Sequence, residues 1–176
     1  PEHQVLIEGN APASKSVGIQ RQPGRAAAKC AACCPVPLAI SSANSCVSVP
    51  VVYTRGESTP VRGVKVTLQL DPAMLALCTP AHPESSITLG PWADDYPNTI
   101  LQVTSLGGGA YQVDLVTLGS PCGITTGGTI FDVRVTSAGP DGDGLIGVTA
   151  VKSRDCDNTP VPVMAGAQDT VRVHNT

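Results

Sequence analysis

The sequence predicts an all-β protein, an Ig-like or jelly-roll sandwich of about nine strands preceded by an extended N-terminal arm. Two observations carry this. Val47, Val49 and Val51, and then Val64, Val66, Leu68 and Leu70, alternate with mostly polar neighbours, the period-two pattern of half-buried strands. Short apolar runs elsewhere are punctuated by Gly and Pro, and no long stretch carries convincing helical periodicity.

Taken in order, residues 1–35 form the arm, with short strands expected at 3–8 and 16–20 and breakers at Pro12 and Pro23-Gly24. The stretch 26–34 is expected to be one helical turn or a disulfide-pinned loop. The arm has too few apolar residues to fold alone, so it must pack on the body, pair with a neighbour or stay flexible. The body, 36–176, opens with a strand at 36–40, followed by 46–53 and 61–70. The Arg55-Gly56 and Pro60 turn separates these two, and Asp71-Pro72 stops the second. Short strands are expected at 75–78 and 87–89, with a long polar connection at 90–97. Strands at 99–104 and 111–118 flank the hairpin turn Gly107-Gly108-Gly109. A strand at 129–136 follows, then an acidic turn at 140–144, a strand at 145–151 and a closing strand at 170–174.

At 176 residues the chain is long enough for a substantial core, and with 3% aromatics that core must be built from Val, Leu, Ile and Ala. A net charge of −3 and the lack of stacking platforms exclude a nucleic-acid binder. No apolar run reaches about 18 residues, so no membrane span is expected. Seven cysteines and Pro1 in place of Met fit a mature secreted or cell-surface chain. No Asn-x-Ser/Thr sequon occurs, so any glycan is expected to be O-linked on Ser or Thr.

Four segments resemble the cohesin-like β-sandwich, the receptor module of bacterial scaffolding proteins: Val47-Ser-Val-Pro-Val51, Gly63-Val-Lys-Val-Thr-Leu68, Leu70-Asp-Pro-Ala-Met-Leu75 and Gly128-Thr-Ile-Phe-Asp-Val133. The resemblance spans 36–173. It implies a sandwich that presents a flat sheet face to a calcium-loaded dockerin. The cysteines, the arm and the Trp92 loop lie outside the family pattern, and no residue carries over to that face.

Among candidate sites, Cys30, Cys33, Cys34, Cys46, Cys78, Cys122 and Cys156 are disulfide candidates: three bridges with one cysteine left over, in an order the sequence does not choose. Zinc or redox use of Cys30-x-x-Cys33-Cys34 lacks a nearby His ligand and a strand–helix setting. Bridges would serve best by stapling the arm to the body. Asp141, Asp143, Asp155 and Asp157 form a calcium candidate, because alternating carboxylates converge on hard cations, although EF-hand spacing fails at Leu145. The competing reading is a tight polar turn. Trp92 and Tyr96 suit packing of their loop better than sugar stacking. No nucleophile elbow, zinc-protease or phosphate-loop motif occurs, so no enzyme is expected.

Two functions follow. The first is an extracellular structural subunit that assembles head-to-tail with copies of itself, pilin-like, by strand addition through Val5, Leu6, Ile7, Val17 and Ile19 of the arm. The alternative is a cohesin-like recognition module for a protein partner or carbohydrate, with the arm as linker.

Overall fold

The computed structural model describes residues 15–19, 38–41, 45–55 and 58–174. The elements are β1 (Lys15–Ile19), β2 (Leu38–Ile40), β3 (Val47–Thr54), β4 (Gly63–Leu70), β5 (Leu75–Leu77), β6 (Ile87–Leu89), β7 (Thr99–Gly107), β8 (Ala110–Thr117), β9 (Gly128–Ser137), β10 (Gly142–Arg154), β11 (Pro160–Val161), β12 (Val163–Ala165) and β13 (Asp169–Val173). Short 3-10 turns occupy Pro83–Ser85 and Pro91–Ala93. The strands form two sheets packed face to face. One runs β12-β1-β3-β9-β5, with β6 also on β9. The other runs β2-β13-β10-β4-β8-β7, with β11 on β10. The all-β sandwich expected from the sequence is the observed architecture.

Alternation explains the layers. Val47, Val49, Val51 and Tyr53 of β3 are buried, as are Val64, Val66, Leu68 and Leu70 of β4, so both strands give one face to the shared core. Val133, Val135 and Phe131 join them from β9. Ile130 is buried beside Phe131, against strict alternation, because the ladder slips there: Val51 pairs with Phe131 and Val52 with Thr129. The extra residue turns a second side chain inward. Pro50 sits within β3 although proline cannot donate to a ladder. The pairing with β1 stops at Val51, so β1 asks nothing of it. The Tyr53 hydroxyl and the Ser153 hydroxyl, both buried, meet at 3.4 Å and join β3 of one sheet to β10 of the other.

The hairpin between β7 and β8 turns at Gly107, Gly108 and Gly109, all at positive φ. At Gly109 a Cβ would lie 2.6 Å from the Leu70 carbonyl oxygen, so the position demands glycine twice over. Of the acidic turn expected at 140–144, Pro140 and Asp141 lie in a bend, while the other three residues begin β10. Gly142, Asp143 and Gly144 pair with Val173, Arg172 and Val171. Gly144 is there for close approach, since a Cβ would meet the Leu75 Cγ at 2.5 Å. The connection expected at 90–97 carries the 3-10 turn Pro91–Ala93, whose Trp92 and Ala93 are buried.

The strand expected at 16–20 forms at Lys15–Ile19, but inside its own sheet. Val17 and Ile19 pair with Tyr53 and Val51 of β3, and the other side of β1 runs parallel to β12. These two residues are therefore committed within the chain, a correction to their expected role as donor-strand residues. Val5, Leu6 and Ile7 lie outside the described residues.

Candidate recognition surface

The outer face of the second sheet holds the side chains that β4, β8 and β10 turn away from the core. Lys65, Thr67 and Gln69 alternate with the buried residues of β4, and Gln112, Asp114 and Val116 do the same on β8. The register sets their neighbours. Lys65 stands opposite Asp114 on one side and Lys152 on the other. Gly63 stands between Val116 and Arg154, and Val116 pairs in turn with Ile100 of β7. At this end of the face a cleft of about 630 Å³ opens, with Arg62, Lys65, Lys152 and Arg154 supplying its cations and Asp114 and Asp155 its carboxylates. Val116 and Leu118 add an apolar side, while the Leu115 side chain turns into the core. Ile100, Leu118 and Val116 are 53%, 41% and 36% exposed, an apolar strip beside these charges.

The local contacts leave much of the positive charge uncompensated. Lys65 Nζ lies 3.2 Å from Asp114 Oδ1. The Arg62 guanidinium donates to the Thr117 carbonyl at 3.2 Å and that of Arg154 to the Asn158 carbonyl at 2.6 Å. The Asp155 carboxylate is spent on its own turn, accepting the Asp157 and Thr159 amides at 2.9 and 2.8 Å. Among the described residues no carboxylate pairs with Lys152.

The calcium candidates do not converge. Asp141 and Asp143 flank the start of β10, while Asp155 and Asp157 follow its end, thirteen strand residues away. At about 3.3 Å per residue the two pairs are roughly 40 Å apart. Asp143 is instead paired with Arg172, Nε to Oδ1 at 2.9 Å. That hydrogen bond holds the Asp143 carboxyl below the usual carboxylate range; it outweighs desolvation, and the charges of Arg172 and His174 act in the same direction. His174 Nδ1 stands 3.8 Å from Asp141 Oδ2. Among the described residues no three metal-ligating side chains gather at one point.

Among the described residues two disulfides form, Cys46–Cys78 and Cys122–Cys156. Both staple the body to itself. The second joins the loop after β8 to the turn after β10, beside the cleft. Cys30, Cys33 and Cys34 lie outside the described residues. Trp92 and Tyr96 pack as expected: the Trp92 indole donates to the Thr126 carbonyl and the Tyr96 hydroxyl to the Gly123 carbonyl, each at 2.8 Å. No helix among the described residues is long and apolar enough to cross a membrane.

The sandwich has a cohesin-like fold, as solved structures of cohesin modules show. A cohesin module from a family 33 glycoside hydrolase of Clostridium perfringens is similar at a TM-score of 0.63 with 10% identity, over 94% of this chain and 100% of that one. A type I cohesin–dockerin complex from Clostridium thermocellum matches at 0.63 and 13%, over 97% and 100%. A non-cellulosomal cohesin from the archaeon Archaeoglobus fulgidus matches at 0.57 and 19%, over 78% and 87%. No family model and no curated protein matches the sequence.

Proposed function

We propose that this chain is a secreted or surface-displayed recognition module that binds a protein partner across the outer face of the β7-β8-β4-β10 sheet. The observation that carries the reading is the exposed apolar strip of Ile100, Val116 and Leu118 set beside four cations on that face. An apolar centre with a charged margin is how a protein surface combines burial with selectivity. The cohesin-like fold supports it, because cohesins of similar structure were solved in complex with dockerins. The test is capture from the secreted proteins of the source organism on immobilised wild-type chain and on Val116→Glu. A discrete partner retained by the wild type and lost with the variant is expected. Equal retention by both would remove this face from the reading.

A second reading, assembly with copies of itself, draws on β7. This nine-residue edge strand holds no Pro and no charged residue and has a ladder partner only in β8 among the described residues. Such an edge accepts an added strand, for which Val5, Leu6 and Ile7 of another copy are the remaining donor candidates. Negative-stain microscopy of the non-reduced protein at rising concentration decides it: fibres lost on deleting residues 1–14 support strand addition, and uniform single particles exclude it.

A further inference from the structure

We infer that the cleft at the end of β4, β8 and β10 takes an acidic peptide segment, one with carboxylates on both sides of an apolar side chain. The inference rests on the recognition reading and names the chemistry of the partner. It begins with the ladder. Lys65 and Lys152 stand directly opposite each other on adjacent antiparallel strands, on the solvent face. Like charges in that relation repel and weaken the sheet. Asp114 relieves one of them, pairing with Lys65 at 3.2 Å, and no carboxylate among the described residues relieves Lys152. Arg154, next but one along β10, and Arg62 from the loop before β4 give their hydrogen bonds to carbonyls, which carry no net charge to cancel theirs.

The result is a cleft with four cations and two carboxylates on a chain whose net charge is −3. One of those two carboxylates is held by backbone amides of its own turn. An anion seated between Lys152 and Arg154, beside Lys65, would offset the repulsion between the two lysines and meet the Arg154 charge. The lining also decides between kinds of anion. No aromatic residue borders the cleft, so a sugar ring has no stacking platform. Val116 and Leu118 border it instead, and with Ile100 beside Val116 they offer a place for an aliphatic side chain. Carboxylates flanking an aliphatic residue match both halves of this surface, and an acidic polysaccharide matches only one.

The test is amide chemical-shift mapping of the whole chain during titration with three probes. These are a short peptide with glutamates on both sides of a leucine, its glutamine counterpart, and a heparin-derived oligosaccharide. The glutamate peptide is expected to shift the amides of Gly63, Lys65, Val116, Lys152 and Arg154. The glutamine peptide should not, and raising the salt should weaken the response. Lys152→Gln should lower the affinity by about two- to fivefold, as loss of one exposed charge pair does. Lys152→Glu should abolish binding while raising the melting temperature, since it pairs with Lys65; a residue kept for packing alone would not separate those two readouts. Shifts scattered away from the cleft, binding unchanged in Lys152→Glu, or heparin occupying the cleft in place of the peptide would each overturn the inference. A captured partner that still binds Lys152→Glu sinks the acidic-ligand inference and leaves the recognition reading standing. Absence of any captured partner, with glutamate-peptide binding intact, does the reverse.

Discussion

The two ends of β10 carry charge in opposite ways. At its start, Asp143 faces Arg172 across the ladder to β13 and the two are joined at 2.9 Å, with His174 and Asp141 alongside. Near its end, Lys152 faces Lys65, cation against cation. Both ends lie on the solvent face of one sheet, so burial does not distinguish them. Cross-strand partners do: one end is electrostatically closed by the chain itself, and the other is left open. A domain that tolerates repulsion at one place while satisfying charge elsewhere on the same strand points to where an outside group belongs.

The comparison can be broken most forcefully at the staple beside the open end. Replacing Cys122 and Cys156 by Ser removes a crosslink with a sequence separation of 34. The chain-entropy estimate for a loop of that size is a loss of about 3–4 kcal/mol, measurable by guanidinium denaturation. A loss below about 1 kcal/mol would mean that the bridge does not restrain this end. A smaller effect of opposite sign is expected from Lys152→Glu, which makes the open end resemble the closed one. It should gain ~0.2–1 kcal/mol in the same assay, and a destabilised variant would show that the Lys65–Lys152 relation is not repulsive in solution.

The smallest effect sharpens the closed end. The Asp143 carboxyl is lowered in the folded chain, so its contribution is fully present above the unfolded carboxylate range near pH 4 and is lost as the pH falls through the folded value. Arg172→Gln should therefore melt slightly below the wild type at neutral pH, and the difference should vanish in acid. A gap in melting temperature that persists at pH 2 would assign the effect of Arg172 to packing rather than to Asp143.

Much of the fold was legible because its period-two signal is local. Val47 through Tyr53 and Val64 through Leu70 announce their buried faces without knowledge of any partner. The errors fall where tertiary neighbours override local chemistry. Gly142 and Gly144 suggest a turn, yet β13 and Leu75 make them strand residues. The segments β11 and β12 are too short and too broken by Pro160 and Pro162 to show a period; their partners, β10 and β1, define them. Val17 and Ile19 were recognisable as strand residues, but nothing in the sequence says whose sheet edge a strand will join. The cleft was legible only in part. Lys65 sits on the outward phase of its expected strand, but Lys152 and Arg154 lie beyond the strand expected at 145–151, and the bulge between Val148 and Ala150 that turns them outward depends on a register between strands distant in sequence.

One feature of the topology bears on how the domain would carry a load. The first strand of its second sheet, β2, runs parallel to the last, β13, with Leu38 opposite Val171 and Ile40 opposite Val173. Tension that enters ahead of β2 and leaves beyond β13 pulls these strands in opposite directions along their lengths. Their hydrogen bonds would then be strained together in shear instead of being opened singly from one end. That orientation ties resistance to pulling to the way the sandwich closes.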